Sequence, residues 1–431
     1  MIIKFAKRFR LAVLAAGFAV VGSAIATNGM VPHGFGTKNK GLAGAGVALP
    51  QDAMSVATNP AGAVWVGNSW VVGAGLFSPR REATEYNPNN TPLTVGFVAP
   101  GTYESDSNYF FVPFGARNWM LNNISAFTLA VYGAGGMNTD YNAGVWGNST
   151  QTSTGIDLKQ LFIAPTYSRK INNTTSVGVS AVIGVQGFKA RGLGVFTNFS
   201  TDGANMTDKG TDIAYGIGLK LGIQSEVAPG LTLGASYATK VNMSEFEDYR
   251  GLFAENGDLD YPAIFTIGLA WKVTPRSVLV FDVQRIYYSD VKSIGAPVNS
   301  ITACPALGLG GTDQNSCFGG SNGPGFGWDD MTVYKLGYQW ETSHGWTWRV
   351  GYSHGNNPVK QTTLSILAPG VIEDHFTFGF TKKMSNTSEV NFAAMYAPES
   401  SIRRTSAIGF PDDVELKMYQ FELELSYSKR F

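Results

Sequence analysis

The chain has 431 residues, and only 15% of them are charged, against roughly 25% in an ordinary soluble domain. Hydrophobic residues make up 44% and glycine contributes 52 residues, yet the mean hydropathy is -0.02. A helical membrane bundle needs apolar runs of about 18 residues or more, which this sequence lacks. A disordered chain would hold fewer apolar and aromatic residues. The composition therefore leaves a large, glycine-rich, all-β protein.

The first 26 residues have the three parts of a secretory signal. The basic residues come first and are Lys4, Lys7, Arg8 and Arg10. An apolar stretch follows at residues 11–21, and the small residues AIA stand at residues 24–26. A membrane anchor is the alternative, but this stretch is too short to cross about 30 Å of hydrocarbon. We therefore expect residues 1–26 to be removed and the mature chain to begin near Thr27.

Loss of the signal changes the charge balance. The full chain has 32 basic and 32 acidic residues, and the mature chain keeps 28 of the basic ones. The mature protein is thus slightly acidic, and no basic stripe is interleaved with aromatic residues. Such a chain gives no support to nucleic-acid binding, so we expect no nucleic-acid partner.

From residue 68 onward, alternating apolar and polar residues predict β-strands. In the last strand, residues 419–427, every second residue is apolar and those between are polar. Short turns are predicted at residues 118–123, 172–174, 229–230, 275–276, 343–345 and 385–387. Long loops are predicted at roughly residues 79–106, 137–155, 193–210, 249–260, 292–328, 357–372 and 401–413.

Six short turns and seven long loops join fourteen strands. An even strand number, with short turns at one rim and long loops at the other, is typical of an outer-membrane barrel. Tryptophan and tyrosine also cluster near the predicted strand ends, where interface girdles lie. We predict an all-β fold: a fourteen-stranded antiparallel transmembrane β-barrel at residues 68–431, in the outer membrane of a Gram-negative bacterium.

About forty mature residues, 27–67, precede the first predicted strand. They are rich in glycine and end in Asn59, Pro60, Ala61 and Gly62. Eight strands already give a barrel interior that side chains just fill, so fourteen strands enclose a lumen. We predict that residues 27–67 form a plug inside this lumen.

The same segment resembles the N-terminal plug of FadL-type outer-membrane transporters, which carry long-chain fatty acids and other hydrophobic compounds. The matching residues are KGLAGAGVA at 40–48, Asp52 and Ala53, and Asn59, Pro60 and Ala61. The resemblance extends to GWDD at residues 327–330, WTWRVG at residues 346–351 and the terminal Phe431. It implies that Asn59, Pro60 and Ala61 belong to a gating plug. It also implies that the barrel-assembly machinery recognises the strand ending in Phe431.

In that family, an inward kink of the third barrel strand opens the wall, and hydrophobic substrate leaves sideways into the membrane. The equivalent strand runs over residues 124–137 and contains Gly133, Gly135 and Gly136. Glycine permits bends and breaks in strand pairing, so the resemblance implies that these three residues form the kink. The alternative is that they simply begin a loop. A hydrophobic exit lets each CH₂ group keep about 0.8 kcal/mol of transfer free energy, so we expect passive transport.

The substrate class depends on whether basic residues are placed to bind a carboxylate. Fatty-acid carriers of the family hold the carboxylate with basic residues, one of them in the loop before the tenth strand, but residues 293–334 contain no Lys or Arg. Lys189 and Arg191, near the outer end of the fifth strand, are candidate substrate-binding residues. Alternation along residues 177–185 would instead aim them outward, toward lipid and anionic lipopolysaccharide. Both possibilities stay open at this point.

The remaining reactive residues indicate no catalytic chemistry. Cys304 and Cys317 lie in a polar loop of an exported protein, so a disulfide is expected. Four scattered histidines form no metal-ligand pattern, and no nucleophile-elbow motif occurs. We expect no metal, no cofactor and no enzymatic activity.

The leading hypothesis is a plugged barrel that passes fatty acids or neutral hydrocarbons. A porin for polar solutes is the main alternative. A structural or adhesive barrel and an outer-membrane hydrolase are two others. They differ in whether the lumen is filled, whether the barrel conducts ions, and whether esters are cleaved.

Overall fold

The computed structural model describes residues 27–87, 98–147, 151–305, 311–404 and 413–431. The predicted signal peptide, residues 1–26, lies outside these ranges. Within the described ranges, no helix has both the length and the apolar composition needed to span a bilayer.

The described residues form sixteen β-strands and a set of short helical turns. The strands are β1 Ser69–Glu85, β2 Gly101–Glu104, β3 Phe110–Asn122, β4 Ser125–Tyr141, β5 Thr154–Lys170, β6 Thr175–Arg191, β7 Asp212–Ala228, β8 Leu231–Ala238, β9 Asn242–Met243, β10 Ala263–Thr274, β11 Ser277–Tyr287, β12 Met331–Thr342, β13 Trp346–Gly355, β14 Asp374–Lys383, β15 Ser388–Arg404 and β16 Val414–Arg430. The helical turns are Thr37–Lys40, Ala53–Ala57, Pro60–Trp65, Gly194–Phe199, Gly203–Asn205, Glu247–Tyr249, Ala254–Gly257, Tyr288–Asp290, Lys292–Gly295, Val298–Ala303, Gln314–Ser316, Ser343–Gly345 and Gln361–Thr363.

Fourteen long strands form a closed antiparallel barrel, as predicted. Each pairs with its neighbours in chain order, and the barrel closes where β1 pairs with β16, from Ser69 opposite Arg430 to Glu85 opposite Val414. The two short strands, β2 and β9, add to β1 and β7. Closure pairs the first strand with the last, which a membrane-spanning sheet requires because lipid offers no hydrogen bonds.

Several strands run beyond the predicted loop boundaries. β1 continues to Glu85, β4 to Tyr141 and β15 to Arg404, although the predicted loops begin at residues 79, 137 and 401. The alternation of apolar and polar residues stops there, so the sequence pattern indicates a loop. The backbone ladders with β16 and β5 nevertheless continue, so these predicted boundaries were wrong.

The alternation seen in the sequence separates two faces of the barrel. In β16, Leu423 and Leu425 are 53% and 58% exposed, whereas Glu422 and Glu424 are each 2% exposed. The apolar side chains therefore face outward, and the carboxylates face the lumen. Aromatic rings cluster at the rim of short turns, such as Trp70 with Tyr427 and Trp346 with Trp348.

The N-terminal segment, residues 27–67, contacts lumen-facing groups on many sides of the barrel. The contacts are Thr37 with Glu424 of β16, Ala43 with Thr377 of β14, Gly46 and Val47 with Asp282 of β11, Asn59 with Ile223 of β7, and Trp65 with Ser176 of β6. These contacts place the segment inside the lumen, where most of its residues are buried.

Buried ion pairs hold this segment to β15 and β16. The Lys40 ammonium group pairs with Glu422 and, at 2.7 Å, with Glu424, and Lys38 pairs with Glu389. Burial disfavours the charge on Lys40, but the two glutamates outweigh this effect and raise the pKa of its ammonium group. Removing one member of a buried ion pair typically costs about 3 to 5 kcal/mol, because the other charge is left unpaired.

The substitution Lys40→Met tests this anchoring. It leaves Glu422 and Glu424 buried without their cation, so we expect faster protease cleavage within residues 27–67 and higher ion conductance of the barrel in a planar bilayer. The control is Lys292→Met, which removes an exposed pair with Glu255 and should change both readouts little. If Lys40→Met behaves like the wild type in both assays, the ion pairs do not hold the segment.

Candidate functional site

Asn59, Pro60 and Ala61 lie where the N-terminal segment meets β5, β6 and β7. The Asn59 side-chain amide donates to the carbonyl oxygens of Val47 (2.7 Å) and Ile223 (3.1 Å), and its oxygen accepts from the Ala61 amide (3.0 Å). The Ala61 carbonyl accepts from the hydroxyl groups of Ser168 and Ser176. All three predicted residues are therefore buried at one contact between the segment and the wall.

Two wall glycines permit this close approach. A Cβ atom on Gly222 of β7 would lie 2.0 Å from Asn59 Oδ1, and one on Gly178 of β6 would lie 2.3 Å from the Pro60 carbonyl carbon. Any larger residue at either position would push the segment away from the wall. Neither glycine was predicted from the sequence as a site residue, because glycine is common along these strands.

The wall is interrupted between β3 and β4. The two strands pair from Asn122 and Ser125 up to Phe114 and Tyr132. Beyond that pair, toward the rim of long loops, residues 133–141 of β4 continue to pair with β5. Residues 110–113 of β3 pair there with β1 alone. We call the space between residues 110–113 and residues 133–139 the β3–β4 gap.

Gly133, Gly135 and Gly136 all lie along the β3–β4 gap. They are inside strand β4 and do not begin a loop, and the register with β5 shifts between Gly133 and Gly135. Gly135 has φ +156°, and a Cβ atom there would lie 2.3 Å from the Met30 carbonyl oxygen. The backbone at Gly135 thus both adopts a conformation that favours glycine and approaches the N-terminal segment closely.

The edge of β4 along the gap has other hydrogen-bond partners in place of β3. The Tyr261 hydroxyl donates to the Ala134 carbonyl (2.9 Å), and the Gly136 amide donates to the Met30 carbonyl (3.2 Å). Above the gap, the Asp106 amide donates to the Asp140 carbonyl (2.9 Å). These backbone groups of β4 therefore have hydrogen-bond partners although β3 does not pair with them.

A cluster of aromatic side chains lies on the lumen side of the gap. Tyr132 packs against Phe35 and Phe162, and Phe162 packs against Tyr261, with ring centroids 4.8 to 6.1 Å apart. Nearby, Tyr288 packs against Trp328, and its hydroxyl accepts from the Met30 amide at 3.1 Å. An apolar lining thus continues from the lumen to the gap.

Lys189 and Arg191 lie on the face of β6 opposite the lumen. Their neighbours on β6, Phe188 and Ala190, are buried on the lumen side, so the two cations project from the opposite face. Arg191 pairs with Asp140 at 2.6 Å. Both cations line a depression that also includes Ser107 and Asn138, at the end of the β3–β4 gap. The structure does not bring either residue together with the lumen residues.

Buried cations on the lumen side already have protein partners. Besides Lys38 and Lys40, Lys335 donates to the His33 carbonyl at 2.9 Å, and Arg349 donates to Gln51 and Thr381. These groups are engaged in holding the N-terminal segment to the wall. They are therefore poorly placed to accept the carboxylate of a ligand.

The loop between β11 and β12 is cross-linked. Cys304 and Cys317 form a disulfide, and both are 2% exposed. The Phe318 amide donates to the Phe199 carbonyl at 2.9 Å, so this loop packs on the loop between β6 and β7. Among the described residues, no group of three His, Cys, Asp or Glu side chains could hold a metal ion.

Comparison with solved structures gives the same architecture. The toluene transporter TodX of Pseudomonas putida is 17% identical, covers 93% of this chain and 99% of its own, and has a TM-score of 0.68. The toluene transporter TbuX of Ralstonia pickettii is 17% identical, covers 93% of this chain and 99% of its own, and has a TM-score of 0.62. A FadL homologue of Pseudomonas aeruginosa is 14% identical, covers 95% of this chain and 100% of its own, and has a TM-score of 0.65. At these identities the likeness establishes the fold.

A comparison with curated protein sequences found no match. The model of the outer membrane protein transport proteins (OMPP1/FadL/TodX), by contrast, matches residues 18–428. With its closed fourteen-stranded barrel, this chain is an outer-membrane protein, and it belongs to the OMPP1/FadL/TodX family of transport proteins.

Proposed function

We propose that this protein lets hydrophobic small molecules diffuse into the outer membrane, and that they leave the barrel sideways through the β3–β4 gap. The observation that carries this proposal is the gap itself, an unpaired stretch of wall beside a buried aromatic lining. Membership of a family of transport proteins supports a channel rather than an enzyme.

The sideways path has an energetic reason. A molecule that crosses an aqueous lumen leaves apolar surface in water, whereas one that moves from an apolar lining into lipid keeps about 25 cal/mol for each Å² of buried apolar surface. Transport along this path needs no energy source. The direction is set by the concentration gradient of the substrate.

We further propose that residues 27–67 act as the plug and that the Asn59 side chain is the main group that attaches this plug to the wall. Asn59 joins the segment to itself through Val47 and to the barrel through Ile223. An interior closed in this way favours a channel for apolar molecules over an open porin.

The preferred substrates are neutral hydrophobic compounds rather than fatty acids. Two observations support this choice: the buried lumen cations are bonded to protein groups, and Lys189 and Arg191 alternate along β6 with the lumen-facing Phe188 and Ala190. Two of the compared structures are of toluene transporters, which is consistent with a neutral aromatic substrate here.

Uptake measurements test the function and the substrate class together. Cells that carry the protein should accumulate labelled toluene faster than cells that lack it, whereas labelled oleate should show a smaller difference. Equal toluene uptake in the two strains would contradict the proposed transport. A larger effect on oleate would contradict the preference for neutral compounds.

The substitution Gly135→Ala tests the gap. The new Cβ atom would lie 2.3 Å from the Met30 carbonyl oxygen, and overpacking of this kind costs about 1 to 3 kcal/mol. Because the edge of β4 at the gap must shift to relieve this clash, we expect toluene uptake to fall about fivefold or more. The matched control is Gly115→Ala on the facing strand, where a Cβ atom meets the nearest atoms at 3.5 Å. If both variants assemble and both transport like the wild type, the gap is not the exit.

Conductance separates the plugged channel from a porin. The purified barrel should conduct ions weakly in a planar bilayer, and Asn59→Ala should raise the conductance, because buried groups left unpaired cost about 1 to 3 kcal/mol each. Asn172→Ala, in an exposed turn, is the control. A large, steady wild-type conductance would instead support a porin for polar solutes.

A further inference from the structure

Arg81 crosses the β3–β4 gap on its luminal side. Its side chain projects inward from β1 and is only 4% exposed. Nη1 donates to the Asn138 carbonyl oxygen of β4, and Nη2 donates to the Ser107 carbonyl oxygen in the segment that leads into β3. The guanidinium carbon lies 5.7 Å from the centroid of the Phe110 ring, at the top of β3. One side chain therefore touches both sides of the gap.

The position of Arg81 follows from the backbone groups that the gap leaves without a strand partner. Lower on the same edge of β4, a tyrosine hydroxyl satisfies the carbonyl of Ala134, and the N-terminal segment satisfies the amide of Gly136. Asn138 is the next residue on that edge. In an apolar environment, a carbonyl without a donor is strongly disfavoured, and a guanidinium group offers several donors in a rigid fork.

The guanidinium group of Arg81 donates its hydrogen bonds to two neutral carbonyl oxygens, which belong to different parts of the wall. Asp140, the carboxylate two residues farther along β4, pairs instead with Arg191, at 2.6 Å. The hydrogen bonds of Arg81 thus tie the two sides of the gap to each other, and the guanidinium group also contacts the ring of Phe110.

We propose that Arg81 sets the width of the β3–β4 gap and thereby limits the size of the molecules that leave through it. This inference rests on the proposed sideways exit, and it adds a residue that determines selectivity. Removal of the guanidinium group removes the two hydrogen bonds that Arg81 makes to Asn138 of β4 and to Ser107. The contacts of Asp140 with Ser105 and Asp106 still join β4 to the segment before β3, so the gap can widen only along residues 133–139.

Arg80 provides a matched control on the same strand. It is the preceding residue, so it projects from the opposite face of β1, where its guanidinium group donates to the exposed hydroxyl of Tyr109 at 2.8 Å. Its ring contact with Tyr109 is of the same type as the contact of Arg81 with Phe110. It makes none of the contacts that cross the gap.

The experiment compares wild type, Arg81→Ala, Arg81→Lys and Arg80→Ala in cells. Uptake of labelled toluene and of labelled pyrene, a four-ring hydrocarbon, is measured for each variant. Arg81→Ala should raise the ratio of pyrene to toluene uptake by about tenfold, the scale on which one lost steric contact changes selectivity. Arg81→Lys should give an intermediate ratio, and Arg80→Ala should leave it unchanged. Heat-modifiable migration of each barrel on a gel verifies assembly.

Amide hydrogen exchange of the purified barrels supplies a second readout. Peptides that cover residues 133–140 should exchange faster in Arg81→Ala than in wild type or Arg80→Ala. An unchanged uptake ratio in an assembled Arg81→Ala barrel would overturn the selectivity role, and unchanged exchange would overturn the tie between the two sides. If Arg81→Ala does not assemble, Arg81→Lys decides by the same two criteria.

The two proposals can fail separately. If wild-type cells take up neither compound faster than cells without the protein, the proposed transport is wrong. If wild type transports toluene but Arg81→Ala and Arg81→Lys both keep its size preference, only the role of Arg81 is wrong.

Discussion

The constraint on which this structure depends is that every backbone amide and carbonyl inside a bilayer needs a hydrogen-bond partner within the protein. Closure of β1 on β16 meets this requirement for the barrel as a whole. An opening in the wall is then possible only where other groups replace the missing strand. Along the β3–β4 gap, those groups are the Met30 carbonyl, the Tyr261 hydroxyl and the Arg81 guanidinium.

These replacements connect the gap to the rest of the molecule. Met30 belongs to the N-terminal segment, Tyr261 to the loop before β10, and Arg81 to β1. A displacement of Met30 would remove the acceptor of the Gly136 amide and so disturb the edge of β4. The position of the N-terminal segment in the lumen and the hydrogen bonding of the β4 edge are therefore connected through the Gly136–Met30 hydrogen bond.

Buried charge has a structural role in this lumen. Glu422 and Glu424 lie on the inner face of β16, where they pair with Lys40, and they alternate with leucines on the outer face. The near-zero mean hydropathy of the chain is thus an average over two very different faces. The same pairing engages the lumen cations with protein groups, which weakens the case for a charged substrate.

The strand count and the inward and outward faces could be predicted from the sequence, because alternation with period two is a local property of each strand. The same alternation indicated that Lys189 and Arg191 point outward, and the glycines of β4 marked where its pairing changes. The extension of β1 to Glu85 was missed, because backbone pairing continues where alternation stops. The contacts of Arg81 with Asn138 and of Tyr261 with Ala134 join residues 57 and 127 positions apart. Only the arrangement of the strands in the folded barrel brings such residues together, so the tertiary structure alone decided which groups border the gap.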